Sequence, residues 1–152
     1  LKAREITLDD DLHCLAVEIN HASWDEANDM SEYDCESLRR YLERPDTVFI
    51  ACHAEPEQGA ALLGIASSRI EIKPYQSELW LYVDEVDVCA DQRKKGAGKL
   101  IMQTLIKIAE REGCEELWLG TEVGNAPANA LYRSLDPDEV ANVIGYTYET
   151  DN

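Results

Sequence analysis

Arg93-Lys94-Lys95-Gly96-Ala97-Gly98 is the stretch on which the fold turns. Before it, Glu78–Val88 is rich in Leu, Trp, Tyr and Val and reads as a strand. After it, Gly98–Glu112 reads as a helix, with Ile101, Leu105 and Ile108 on one side and Lys99, Gln103, Lys107 and Glu110 on the other. A strand that passes through a glycine turn into a helix offers backbone N–H groups and the positive end of the helix together. Four of the chain's 14 basic residues, Arg93, Lys94, Lys95 and Lys99, fall within seven positions of a chain whose net charge is −17. That concentration of base predicts a phosphate-bearing ligand, and a pyrophosphate fits it best. The pattern is neither G-x-G-x-x-G nor the Walker sequence, and no Ser or Thr stands ready for Mg²⁺, which argues against an NTPase. An ordinary basic turn at a helix start would use the same residues, so the loop alone leaves both readings open.

Downstream, Gly113 is placed to stop the helix, Glu116–Thr121 reads as a strand, and Asn125–Leu135 as a short helix capped by Asn125 with Pro127 in its first turn. Ala128, Leu131 and Tyr132 share one face of it at i, i+3 and i+4. Val140–Glu149 reads as a last strand. Upstream, Ala3–Thr7 reads as a first strand. Asp9, Asp10 and Asp11 offer a cap for a helix whose apolar face is Leu12, Leu15, Ala16 and Ile19. Residues 20–33 are polar and irregular. Asp34 or Ser37 starts a second helix through Leu38, Tyr41 and Leu42, which Pro45 ends. Thr47–Ala54 and Ala60–Ile72 are strands around a turn at Glu55–Gly59. The order predicts one mixed α+β domain over 1–152, mainly antiparallel in its first half and βαβ-like in its second.

Composition narrows the function. No apolar run approaches the roughly 20 residues that span a bilayer. The start, Leu1–Asp11, carries charges of both signs and no signal-peptide core, so a cytoplasmic protein is expected with no membrane partner. The five cysteines are odd in number and show no C-x-x-C pair, which argues against a disulfide framework or a structural zinc, and no metal is expected. The acidity disfavours nucleic acid as a partner. The acids are also segregated. Six of them, Asp25, Glu26, Asp29, Glu32, Asp34 and Glu36, lie between Ala22 and Leu38 with no base among them. Asp136, Asp138, Glu139, Glu149 and Asp151 follow Arg133, again without a base. Acid so placed suits a cationic small-molecule amine; a solubilising surface is the blander account.

The two elements together resemble the GNAT acetyltransferase superfamily. Its acetyl-CoA loop, Arg/Gln-x-x-Gly-x-Gly/Ala, is matched by Arg93, Gly96 and Gly98, and its later Asn-x-x-Ala-x-x-Leu-Tyr by Asn125, Ala128, Leu131 and Tyr132. The resemblance implies a central twisted, mostly antiparallel sheet of about six to seven strands flanked by about four helices. It implies acetyl-CoA as co-substrate, with its phosphates held by Arg93, Lys94, Lys95, Gly96, Ala97, Gly98 and Lys99. The pantetheine arm would run along the backbone of Val86, Asp87 and Val88, with Asn125, Ala128 and Tyr132 completing that side. Tyr132 would be the acid that protonates the leaving thiolate. Glu85 would be the general base or a charged anchor for the acceptor. Strand alternation puts Glu85 and Asp87 on one face, where they raise each other's pKa, and Asp84 on the other. Asp25, Glu26, Asp84, Glu85 and Glu149 are the expected acceptor contacts.

A closer similarity is to aminoglycoside 3-N-acetyltransferases of type I, carried by Ser77-Glu78, an acidic residue before Val-x-Val (here Glu85, where that group has an aspartate) and Ala130-Leu131-Tyr132. The chain departs from many members in having Asp136-Pro137 where they carry a Gly-Phe pair. The expected reaction is acetyl transfer to an aminoglycoside amine in a ternary complex. A peptide or other polyamine acetyltransferase and a non-catalytic acyl-CoA-binding module are the alternatives, and a homodimer stays open.

Overall fold

Aspartates set where the first helices begin. Asp11 accepts from the Cys14 N–H at the head of α1 (Leu12–His21), and Asp34 accepts from the Ser37 N–H at the head of α2 (Cys35–Glu43). Each satisfies a donor that a helix start leaves open. The computed structural model describes residues 1–55, 60–92 and 95–152. They fall into two compact units, 1–119 and 120–152.

The first unit holds a five-stranded sheet: β1 (Lys2–Glu5), β2 (Thr47–His53), β3 (Leu62–Ile72), β4 (Leu79–Val88) and β5 (Cys114–Trp118), in that spatial order. Neighbours are antiparallel except β4 and β5. That parallel pair needs a crossover, and α3 (Ala97–Arg111) supplies it. One face of the sheet carries Phe49, Ala51 and Ile65 against Leu12, Leu15 and Ile19 of α1 and Leu38 of α2. The other face takes α3, whose Ile101 and Leu105 are fully buried. Gly64 makes that approach possible: a Cβ there would lie 2.9 Å from the Ile101 Cδ1 and 2.9 Å from the Asp87 backbone oxygen. The expected apolar stripes of α1 and α3 are therefore the buried ones, and Lys99, Gln103, Lys107 and Glu110 face water.

Two irregularities of β4 matter for function. Ser67 stands opposite Glu85 but Ser68 opposite Val83, so Asp84 is an extra residue in a bulge. The bulge resets the alternation. Asp84 and Glu85, expected on opposite faces, both line one cavity on the α1–α2 side. The second irregularity is a parting of strands. Among the described residues, β5 pairs with β4 only from Leu79 to Tyr82. Beyond Tyr82 the outer edge of β4 has no partner strand among the described residues.

In the second unit, α4 (Ala126–Arg133) is capped by Asn125, whose side chain accepts from the Ala128 N–H at 3.2 Å. The expected strand at Val140–Glu149 does not form. A strand needs a neighbour to take its N–H and C=O groups, and residues 120–152 contain no second strand to provide one. The described residues thus hold five strands rather than six to seven, with four α-helices as expected.

Candidate active site

The carboxylate side of the site is built by β4 and the α1–α2 connection. After the bulge, Glu85 sits opposite Ser67, and Ser67 opposite Phe49. Arg69 of β3 ties down the bulge residue, with Nη1 on Asp84 and Nε on Glu71 at 2.8 Å. Asp87 is buried and accepts from Asn28 Nδ2 at 3.0 Å. Asn28 ends a 3₁₀ turn, Glu26–Asn28, that Asp25 caps by accepting from the Ala27 N–H at 3.0 Å. Further along, Asn20 grips the backbone of Tyr33 twice: its Nδ2 donates to the Tyr33 carbonyl at 2.8 Å, and its Oδ1 accepts from the Tyr33 N–H at 2.8 Å. The Tyr33 ring then meets Phe49 edge-on at 6.1 Å.

These elements enclose a cavity of about 390 Å³. Tyr33, Leu38, Tyr41 and Phe49 supply apolar and aromatic wall, Ser37 and Ser67 polar points, and Asp84 and Glu85 the charge. The Tyr41 hydroxyl is already committed, donating to the Ser68 carbonyl at 2.8 Å.

Burial, then the neighbouring charges of Asp87, Asp84 and Asp29, push the Glu85 carboxyl above its ordinary value. Burial, with Glu85 and Asp87 beside it, pushes the Tyr33 phenol up to about 12. Tyr33 is therefore a hydrogen-bond donor throughout the neutral range, and Glu85 is a carboxylate with unusual appetite for a proton. The pair can hold a cation, and Glu85 can accept a proton from it.

Most of the residues expected to take acetyl-CoA lie at the end of β4 and the start of α3. Gly96 is left-handed at φ 98° and caps α3 with no side-chain hydrogen bond, so the first N–H groups of the helix are not claimed by a cap side chain. A Cβ on Gly96 would approach only the Leu1 side chain, at 3.6 Å, so the constraint there is conformational. Ala97 and Gly98 are buried, while Lys95 and Lys99 are exposed. Val86 and Val88 pair with Ala66 and Gly64 on one edge, and their other edge lies past the end of β5. Arg93 and Lys94 lie outside the described residues. In the second unit, Asn125 and Ala128 are joined by the cap, Leu131 and Tyr132 are half-buried on the same helix, and Glu149 is exposed. No three metal-binding side chains gather among the described residues. No described helix is long and apolar enough to cross a membrane.

With this geometry in hand, comparison with known proteins decides the family. The model of the acetyltransferase (GNAT) family matches residues 11–136. The chain belongs to that family. Members of the family are acetyltransferases and generally use acetyl-CoA. The ribosomal protein bS18-alanine N-acetyltransferase of Escherichia coli is 35% identical over 66 residues, which span 43% of this chain and 45% of that one. The match thus covers less than half of the relative's length. Among solved structures, an aminoglycoside acetyltransferase from an uncultured soil metagenomic sample superposes at TM-score 0.83 with 18% identity, covering 99% of this chain and 96% of that one. A ribosomal-protein-alanine N-acetyltransferase from Brucella melitensis biovar Abortus 2308 superposes at 0.67 with 18% identity, covering 96% and 100%. At such identities the likeness is one of fold.

The candidate site also contains residues that the motifs do not announce: Asn20, Asn28, Tyr33 and Arg69. Each acts across a gap in sequence, 13 residues from Asn20 to Tyr33 and 59 from Asn28 to Asp87. Periodicity does not report such pairs. The one available signal was the position of Tyr33 among the acids of residues 22–38.

Proposed function

We propose that this acetyltransferase moves an acetyl group from acetyl-CoA to a primary amine of a cationic small molecule, most plainly an aminoglycoside, by direct attack in a ternary complex. The observation that carries this reading is Glu85, a carboxylate of raised proton affinity on a cavity with aromatic walls and further acids around it. The acceptor arrives as an ammonium ion and is drawn by Glu85, Asp87 and Asp29, with Arg69 offsetting Asp84. Glu85 takes the proton, directly or through a water, and the neutral nitrogen becomes a nucleophile. Acetyl-CoA supplies the activated acyl group. Its phosphates would meet the N–H groups at Gly96–Gly98 with Lys95, Lys99, Arg93 and Lys94, and its arm would lie along Val86–Val88. Tyr132 would give a proton to the thiolate. The family match runs across both units, which supports one working domain over 1–152. Five thiols without paired spacing suit a reducing cytoplasm.

A second reading, acetylation of a peptide amine, draws on the 35% match to an alanine N-acetyltransferase. Release of free thiol from acetyl-CoA, measured against aminoglycosides, linear polyamines and peptide N-termini, separates the two. Turnover with aminoglycosides supports the first reading. Turnover with peptides alone overturns it in favour of the second.

A further inference from the structure

We propose that Asn28 is a positioning residue of the acceptor site: by donating to the buried Asp87 carboxylate it seats the connection between α1 and α2, Asp29 included, against the strand that carries Glu85. The proposal rests on the function just stated.

The amide of Asn28 is used at both ends. Its Oδ1 accepts from the Asp25 N–H at 3.1 Å, which closes the cap of the 3₁₀ turn. Its Nδ2 donates to Asp87 Oδ1 at 3.0 Å, 59 residues away on β4. One side chain thus joins the turn to the strand. A second bond does the same from the backbone: the Ala90 N–H, just past the end of β4, donates to the Ser23 carbonyl at 2.9 Å. The connection is therefore held at two points, Ser23 and Asn28. Asp29 follows at once in left-handed backbone, at φ 46° and ψ 50°, a conformation that aspartate accepts better than most residues. Its N–H returns to the Glu26 carbonyl at 3.1 Å.

The strand end of the bond is placed by register. Asp87 stands opposite Ile65 and Glu85 opposite Ser67. The two acids are two residues apart past the bulge and so share one face of β4. Asp87 is 8% exposed, and a carboxylate so deep needs donors. Asn28 supplies one without adding a charge. A lysine or arginine in its place would repel the cationic acceptor; an amide holds the turn on the strand and spares the negative charge for the amine. The charge of Asp29, so seated, joins those of Asp87 and Asp84 around Glu85.

Asn28→Asp tests the bond to Asp87 by itself. It keeps the size of the side chain and an oxygen for the Asp25 N–H, loses the donor, and sets a second carboxylate against Asp87. With an aminoglycoside as the amine, KM should rise by about 10-fold, the size expected for one hydrogen bond to a charged group. Turnover at saturation should be largely kept and affinity for acetyl-CoA unchanged. Combining Asn28→Asp with Asp87→Asn exchanges the two groups, so that both the bond and the charge of the pair return. KM for the amine should then come back toward the parental value. An Asn28 that merely filled space would show no such recovery.

Amide hydrogen exchange reads the same contact without turnover. The N–H groups of Asn28, Asp29 and Ala90 should exchange faster in Asn28→Asp and slow again in the exchanged pair, while the amides of α3 stay slow in both. If no cationic amine is acetylated but exchange follows the pair in this way, the functional reading fails and the Asn28–Asp87 contact stands. If exchange ignores the pair, the proposal is overturned. It is overturned equally if the amines are acetylated and Asn28→Asp keeps the parental KM, or if the exchanged pair does not recover it.

Discussion

The two faces of the sheet in the first unit are built on opposite terms. The α3 face is dry: Ile101 and Leu105 are fully buried and α3 packs onto bare backbone at Gly64. The α1–α2 face begins in the same way, with Leu15, Ile19, Phe49 and Ile65. Toward β4 it changes character: Asp84 and Glu85 line a cavity, and the charge of Asp87 bears on Glu85. Carboxylates crowded together with partial burial oppose folding, since each makes the charged form of the next less favourable. Apolar packing on one face thus supports, on the other, a crowded Glu85 that opposes folding and is suited to drawing a cation.

Substitutions on the two faces should therefore differ in sign. The largest effect belongs to the dry face. Ile101→Ala should cost about 2–5 kcal/mol, the range for deleting a buried aliphatic side chain, read as a lower midpoint in urea. A loss below about 1 kcal/mol would mean that the α3 face is looser than its burial indicates. Gly64→Ala should come next, at roughly 1–3 kcal/mol, because its methyl group meets both the Ile101 side chain and the Asp87 carbonyl.

On the other face, Glu85→Gln should stabilise the protein at neutral pH. The Glu85 pKa is raised on folding, so the folded state binds that proton more tightly than the unfolded chain. Its contribution is fully present below the ordinary glutamate value, near ~4.3, and is lost as pH rises through the raised value. The Gln variant escapes that loss. Its melting temperature should exceed that of the parent at pH 7 and match it near pH 4. Equal melting temperatures at both values would say that Glu85 is not crowded. The smallest effect concerns salt. Apparent KM for a polycationic amine should rise moderately with ionic strength, as the Debye length shrinks from about 10 Å at 0.1 M to about 3 Å at 1 M. A neutral-bodied monoamine should show less of that rise.

The contrast between the faces also explains what the sequence disclosed. The dry face was legible because it obeys one period. Ile101, Leu105 and Ile108, and likewise Leu12, Leu15, Ala16 and Ile19, repeat at helical spacing and are buried as that spacing predicts. Caps were legible for a similar reason, since Asp11, Asp34 and Asn125 bond within three residues of themselves. The site face breaks period. The bulge at Asp84 is a matter of register between β3 and β4, and alternation within β4 alone puts Asp84 on the wrong side. Tyr33 is placed by Asn20 from a different element. The last strand failed in the same way: Val140–Glu149 has strand-like composition, but composition does not supply a neighbour to pair with.

The central claim is that the carboxylate face of β4 receives a cationic amine at Glu85. Steady-state kinetics of Glu85→Gln with acetyl-CoA and an aminoglycoside, followed across pH, tests it most directly. A lost general base typically lowers turnover by ~10²–10⁴-fold, and part of that loss should return at alkaline pH, where free amine accumulates without help. An anchoring role alone would show as a higher KM with kcat largely kept. Either result keeps the amine at Glu85. Parental kcat and KM in a folded variant would contradict the claim and move the acceptor elsewhere.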